Sequence, residues 1–250
     1  MHLKTCRLGW MTCFCWVASS LVAADVSADD FRVAVRIVEV MEDGSEKTID
    51  RRLHLFFGAK AYDFSLLAPQ DVAVVDPAGT SVTLISREKT VTHRIGTVNL
   101  VEIAGRLKAY ARTNDKKDKL GIDAPIRERP IDSESTEYRT AFADVVYITD
   151  ANKPVEASQA LRFAEFTEWL ARVNLYREMG SPPFARMALA NKMGTDGLVP
   201  SCVTLRLSSR QFKTYYEFST EFTEMDRKRL DEVAGMVALY RNVSAAEFPR

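Results

Sequence analysis

Hydrophobic and polar residues alternate along much of the segment from Phe31 to Ile95, which is the pattern of strands that bury one face. Turn-forming sequences such as Asp43-Gly44 and Asp76-Pro77-Ala78-Gly79 interrupt the alternation at intervals of roughly ten residues. No helical period separates these strands, so parallel βαβ units are not expected. The pattern predicts about six short strands in an antiparallel meander.

The rest of the chain mixes helical and strand periods. The predicted elements after Gly96 are a helix starting at Thr97, a strand from Glu137 to Ile148, a helical stretch from Pro154 to Gly194, strands at Cys202–Leu205 and Gln211–Phe222, and a last helix that begins with a capping box of Thr223 and Asp226. Together they predict an α+β fold, in which a strongly curved antiparallel sheet of about 8–9 strands has helices packed on one face.

The stretch from Pro154 to Gly194 contains the densest group of aromatic and aliphatic residues. Phe166, Trp169 and Val173 lie three and four positions apart and give one helix a broad apolar face. The sequence Gly180-Ser181-Pro182-Pro183 predicts a corner between two helices, with its serine as the cap of the second. We interpret this helix pair first as the element that closes the core, and second as the wall of a pocket.

The segment 112–136 is dense in Lys, Asp, Glu, Ser and Pro and has little periodicity. Such a composition is typical of a solvated linker or loop. A loop of that length is unusual inside a compact domain, so it is either a domain boundary or a mobile flap. We expect an excursion within a single α+β domain at 25–250, since each half alone is small for a stable core.

The N-terminal segment 1–24 has a composition of its own. Lys4 and Arg7 precede an uncharged run from Leu8 to Val22, and Val22-Ala23-Ala24 fits a cleavage site. We interpret the segment as a secretory signal peptide cleaved after Ala24, with an uncleaved membrane anchor as the alternative. The protein is then secreted or periplasmic, and no later segment approaches the roughly 20 apolar residues that a membrane span needs.

The balance of basic and acidic residues indicates which kinds of partner to expect. The chain has 34 basic and 34 acidic side chains, so its formal net charge at pH 7 is zero. A balanced charge gives no electrostatic footprint for nucleic acid or for an anionic membrane surface. No nucleic acid partner is therefore expected.

Residues that usually carry catalysis or bind metals are sparse. The mature chain keeps His54, His93 and one cysteine, Cys202, so no intramolecular disulfide is expected. It lacks HExxH, CxxC and G-x-S-x-G motifs and the Gly-rich phosphate-binding loops. Cys202 with one histidine would be the minimal thiol nucleophile pair, but a half-buried structural thiol is the commoner situation. No catalytic residue, metal site or cofactor is predicted.

Arg186 belongs to a predicted helix that is apolar on nearly all sides, with Phe184, Leu189 and Met193 among its neighbours. A guanidinium in such surroundings pairs with a buried acid, extends to water or binds an anion. We expect the ion pair, and with it a loss of stability in Arg186→Ala.

Three groups of residues carry a resemblance to known proteins. They are Tyr62-Asp63-Phe64 with Val72-Ala73-Val74-Val75-Asp76-Pro77, then Phe163-Ala164-Glu165-Phe166-Thr167-Glu168-Trp169-Leu170-Ala171-Arg172-Val173-Asn174, and Pro182-Pro183-Phe184-Ala185-Arg186. In these residues the chain resembles an uncharacterised family of secreted proteins typical of planctomycete bacteria, over essentially the whole mature chain. The resemblance implies a compartment and no chemistry. More loosely, a curved sheet crossed by helices is similar to the half-barrel of periplasmic lipoprotein carriers, although this chain lacks the long N-terminal helix expected there.

Three functions are compatible with these features. The first is a non-enzymatic extracytoplasmic protein that binds or carries an apolar ligand, a lipid or another small molecule, between the sheet and the aromatic helix. The second is a structural or protein-interaction component that contacts other envelope proteins, and the third is a hydrolase without a recognisable motif. The candidate ligand-binding residues for the first function are Phe166, Trp169, Val173, Tyr176, Phe184, Arg186 and Phe218.

Overall fold

The computed structural model of the chain describes residues 30–180 and 182–249 and has an α+β fold with one sheet of 12 strands. The predicted signal peptide at 1–24, its cleavage site after Ala24 and the predicted helix cap Ser181 lie outside these residues. The strands are β1 (Phe31–Val40), β2 (Glu46–Phe57), β3 (Lys60–Ser65), β4 (Val72–Asp76), β5 (Ser81–Ser86), β6 (Val91–Gly96), β7 (Ile126–Pro130), β8 (Ser135–Phe142), β9 (Val145–Asn152), β10 (Val199–Leu207), β11 (Arg210–Ser219) and β12 (Arg241–Asn242). In space their order is β12-β6-β5-β4-β3-β2-β1-β11-β10-β9-β8-β7. Neighbouring strands run antiparallel, apart from the parallel pair of β12 and β6.

The helices within the described residues pack on both faces of the sheet. They are α1 (Thr97–Thr113), α2 (Ser158–Tyr176), α3 (Pro183–Thr195) and α4 (Glu224–Leu239). Alternation along β2 shows the two faces, because Phe56 contacts Phe166 of α2 while Leu53 and Leu55 cluster with Val233 of α4. The prediction that the helices share one face is therefore wrong for α4. None of these helices has the length and apolar content to span a membrane.

The sheet has more strands than the roughly 8–9 that the sequence predicts, because some of its strands lack a recognisable sequence pattern. Strand β7 lies inside the segment 112–136, which the sequence predicts as a loop, and four of its five residues are exposed, so no alternation marks it. The single strand predicted from Glu137 to Ile148 is a hairpin of β8 and β9. Its turn contains Ala143 in the left-handed region at φ 45°. Strand β12 has two residues, too few to show a period.

The start of α4 agrees with the sequence. The Thr223 side chain accepts a hydrogen bond from the Asp226 amide at 3.1 Å, and the Asp226 carboxylate accepts one from the Thr223 amide at 3.0 Å. The predicted capping box is confirmed. Asp226 is fully buried and also accepts from Arg229 of its own helix and contacts Arg32 of β1 at 3.4 Å, which ties α4 to its face of the sheet.

Helix α3 packs closely against α2 at Gly194, which is buried. A Cβ atom added at Gly194 would lie 2.6 Å from the Cβ atom of Ala164 and 3.4 Å from the carbonyl oxygen of Ala160. The missing side chain therefore allows the two helices to approach. This contact sets the position of α3 over the sheet.

We expect Gly194→Ala to lower the free energy of unfolding by about 1–3 kcal/mol, because the new methyl group has no room between the helices. Urea-induced unfolding measures the change. The matched control is Gly105→Ala in α1, where an added Cβ meets nothing within 4 Å. That change should be neutral or stabilise by about 0.5–1 kcal/mol, as expected for a helix interior. A Gly194→Ala protein as stable as its Gly105→Ala counterpart would contradict the packing described here.

Candidate ligand-binding cavity

A cavity of about 390 Å³ lies between the sheet and the helices α2 and α3. Its helical wall is mainly apolar. The side chains that α2 and α3 contribute to it include Phe163, Leu170, Val173, Leu189, Ala190 and Met193. Because several of these lie three, four or seven positions apart within their helix, they share the face turned to the sheet.

Strand register places the floor residues of the cavity in rows. Side chains that are opposite each other on neighbouring strands point to the same face. The rows are Thr149–Val203–Thr214–Ile37–Asp50, Tyr216–Val35–Arg52 and His54–Asp63–Ala73–Leu84. The floor is therefore one face of eight adjacent strands, from β5 through β1 to β9.

A charged cluster lies in the floor around Asp63. Arg52 donates from Nε to Asp63 Oδ1 at 2.7 Å and from Nη2 to Asp63 Oδ2 at 2.5 Å. The same guanidinium donates from Nη1 to Asp50 Oδ2 at 3.2 Å. Nε2 of His54 lies 3.3 Å from Asp63 Oδ1. This fork-like pairing holds strands β2 and β3 together on the cavity side.

Within this cluster, Arg52 and Asp63 each stabilise the charged form of the other. Burial alone would raise the pKa of Asp63, but the charge of Arg52 and the contact with His54 hold it well below its usual range. Burial likewise acts to lower the pKa of Arg52, and Asp63 more than offsets that effect. Asp63 and Arg52 thus compensate each other, and Asp50 shares the same guanidinium, so Arg52 is not available to a ligand.

Arg186 belongs to the wall of the cavity and is partly buried. Among the described residues it has no ion pair and no side-chain hydrogen bond, so the predicted pairing with a buried acid is absent there. Its charge acts on Tyr216 in the floor. Burial raises the pKa of the Tyr216 hydroxyl, and the positive charge of Arg186 opposes that rise.

Of the seven residues proposed from the sequence, Val173 and Arg186 line this cavity. Phe166 lies beside it and packs edge-on against His54 and Phe56, with ring centroids 4.9 and 5.1 Å apart. Trp169 is partly buried against the same core cluster. These two aromatic residues fasten α2 to the sheet.

The other three proposed residues lie elsewhere in the core. The hydroxyl of Tyr176 is 2.9 Å from Nε2 of His93. Phe184 packs in a cluster with residues of α1. Phe218 contacts Phe163 edge-on, with centroids 5.1 Å apart. The structure therefore does not bring all seven residues together.

Sequence reasoning missed Arg52, His54 and Asp63 as cavity residues. A signal for them exists, because Gly58 and Ala59 alone connect β2 to β3 and so pair Phe57 with Lys60. That register places His54 opposite Asp63. Charged residues at strand positions that face the core are unusual enough to mark a site.

The residues considered for catalysis lie apart. Cys202 is partly buried on β10, and burial raises the pKa of its thiol. His93 contacts the carbonyl oxygen of Val243 through Nδ1 at 2.8 Å, and neither histidine has a hydrogen bond to Cys202 among the described residues. Within those residues, no group of three or more His, Cys, Asp or Glu side chains could hold a metal ion.

No protein-family model matches the chain, and no curated protein matches it. The case for a function therefore rests on the cavity and its side chains.

Replacing the buried Asp63 with Asn would leave the partly buried Arg52 guanidinium without its main carboxylate. We expect Asp63→Asn to lower the free energy of unfolding by about 3 kcal/mol, the scale of a broken buried pair. Urea unfolding at neutral pH measures it. The control Asp231→Asn removes an exposed carboxylate of α4 that has no ion pair among the described residues, and should leave stability essentially unchanged. Equal stabilities of the two variants would contradict this role of Asp63.

The same pair should make stability depend on pH. The pKa of Asp63 is lower in the folded protein than in the unfolded chain, so its stabilisation is fully present above the unfolded value of about 4 and is lost as the pH falls below it. Between about pH 5 and pH 2 the free energy of unfolding should fall more steeply for the parent than for Asp63→Asn. Equal slopes in a series of urea titrations would contradict this assignment.

Proposed function

We propose that the protein is a non-enzymatic, extracytoplasmic binding or carrier protein that holds an apolar ligand in the cavity between the sheet and α2–α3. The observation that carries the proposal is the cavity itself. Its volume of about 390 Å³ is within the range of roughly 300–1,000 Å³ of small-molecule sites. The mainly apolar helical wall and the few polar floor groups are also typical of such sites.

A packing defect does not account for a space of this size. Protein interiors pack as densely as organic crystals and leave few voids larger than a water molecule. Without a ligand, the apolar side chains that line this space stay exposed to water, at a cost of about 25 cal/mol per Å² of apolar surface. A ligand that fills the space is the simplest reason for the chain to maintain it.

We further infer that the sheet curves around the cavity. Side chains of β5 and of β9, which are the two outermost strands of the floor, line the same space. In a flat sheet with strands about 4.8 Å apart, these strands would be separated by roughly 34 Å. The curvature supports the similarity to half-barrel lipoprotein carriers, which is a likeness of fold alone.

A hydrolase is less well supported. The contact of His54 with Asp63 has the geometry of a general base and its orienting acid. However, Arg52 occupies both oxygens of Asp63, and Nδ1 of His54 is buried without a hydrogen-bond partner among the described residues. No hydroxyl or thiol is therefore positioned as a nucleophile on that nitrogen.

Filling the cavity should abolish binding. Leu205 of β10 lines the cavity and is only partly buried, so Leu205→Trp extends an indole into the open space. We expect the affinity for the neutral fluorescent probe N-phenyl-1-naphthylamine to fall at least about tenfold. The control Leu161→Trp changes a leucine on α2 that is 63% exposed and outside the cavity, and should bind the probe as the parent does. Equal probe affinities of the two variants would contradict the proposal.

Native mass spectrometry of the protein purified from its own source distinguishes the proposal from the structural alternative. A co-purifying apolar small molecule supports a carrier. A stoichiometric protein partner without any small molecule would instead favour an interaction component of the envelope.

A further inference from the structure

We infer that the ligand of this cavity is an anionic amphiphile, an apolar chain with one carboxylate or phosphate group that Arg186 contacts. This inference rests on the proposed function, because it names the chemical class of the ligand in the same cavity. The inference rests on the charged side chains that line the cavity and on the groups that these side chains contact.

Three arginines line the cavity within the described residues, and two of them are already engaged. Arg52 is held by two aspartates in the floor. Arg177 donates from Nη2 to the carbonyl oxygen of Pro249 at 3.3 Å. Arg186 alone among the three has no ion pair and no side-chain hydrogen bond in the described part of the chain.

Among the described residues, none of the carboxylates that line the cavity forms an ion pair with Arg186. Asp50 and Asp63 both pair with Arg52. Burial raises the pKa of Asp71, which has no ion pair among the described residues, and its Oδ1 is buried there without a hydrogen-bond partner. The three arginines and three aspartates that line the cavity balance formally, and Arg186 is the arginine among them without an ion pair or side-chain hydrogen bond in the described part of the chain.

An uncharged ligand would leave Arg186 in an unfavourable position. Leu189, Ala190 and Val203 are among the residues that line the cavity with it. An apolar chain that filled the space would remove water from the guanidinium and return no hydrogen bond. A carboxylate or phosphate would instead accept two parallel hydrogen bonds from the guanidinium fork. Tyr216 lines the same cavity, and its phenol group is a further possible hydrogen-bond donor.

The rest of the cavity suits the chain of such a ligand. Beyond Tyr216 and Val35 the floor crosses the paired Arg52 and Asp63, and then reaches Ala73 and Leu84, which belong to the same core cluster as Val173 of α2. An amphiphile with its headgroup at α3 can thus lay its chain along the sheet toward β4 and β5. A ligand that fits this cavity has one charged end and one apolar chain. An amphiphile has both, and a plain hydrocarbon has only the chain.

The test compares ligands that share one chain and differ in headgroup: dodecanoate, dodecyl phosphate and dodecanol. Displacement of N-phenyl-1-naphthylamine gives the Kd of each for the parent and for Arg186→Met, which keeps the length and removes the charge. We expect the parent to bind both anions about 10- to 100-fold more tightly than dodecanol. Arg186→Met should lose most of this preference and bind dodecanol at least as well as the parent. The control Arg206→Met, at an exposed position of β10 outside the cavity, should keep the preference.

The outcomes separate the inference from the proposed function. Equal affinities of the parent for dodecanoate and dodecanol would overturn the inference and leave an apolar-ligand carrier standing. This comparison uses the parent alone, so it decides even where Arg186→Met does not fold. An unchanged preference in folded Arg186→Met would also overturn the inference. Displacement of the probe by inorganic phosphate alone would indicate a site for free anions and overturn it as well. If the parent binds neither the probe nor any of the three ligands, the proposed function fails too.

Discussion

The contact of helix α2 with the sheet is the interaction on which the rest of the structure depends. Phe163 and Phe166 meet Phe56 and Phe218 at centroid distances of 5.1 to 6.3 Å, mostly edge to face or tilted. Such pairs contribute about 0.5–1.5 kcal/mol each beyond the burial of their area. Val173, two turns beyond Phe166, lines open space instead. One helix therefore closes the core with one part of its face and forms the wall of a cavity with another.

The polar groups of the cavity follow from the same architecture. A floor built from eight strands turns some charged side chains inward, and Arg52 and Asp63 neutralise each other there at hydrogen-bond distance. The pair contributes cohesion between β2 and β3 and little net charge. Arg186 differs because α3, held close to α2 through Gly194, carries it over a part of the floor that has no carboxylate for it among the described residues. The cavity is thus apolar along most of its wall and cationic at one place.

The local features were accessible from the sequence, and the long-range ones were not. Alternation predicts the strands of the first half, and the Thr223–Asp226 capping box predicts the start of α4. The face on which α4 packs, and the pairing of Val35 with Tyr216, depend on contacts between distant segments that no local period encodes. A pocket between the sheet and the aromatic helix was expected, but most of its lining residues were missed for a related reason. An apolar face on α2 predicts that the helix contacts the sheet. The space beside Val173 depends instead on the distance between helix and sheet, which contacts elsewhere in the fold determine. Arg186 was expected to pair with an acid because composition cannot show that Asp50 and Asp63 of the cavity both pair with Arg52 instead.

The location of a bound chain tests the central claim most directly. Crystals grown with dodecanoate that carries a terminal bromine would show the chain end through the anomalous scattering of bromine. We expect a single strong peak between α2 and the floor near Ala73 and Leu84, with the carboxylate at Arg186. A peak on the outer surface of the protein, with the cavity unfilled, would contradict the claim.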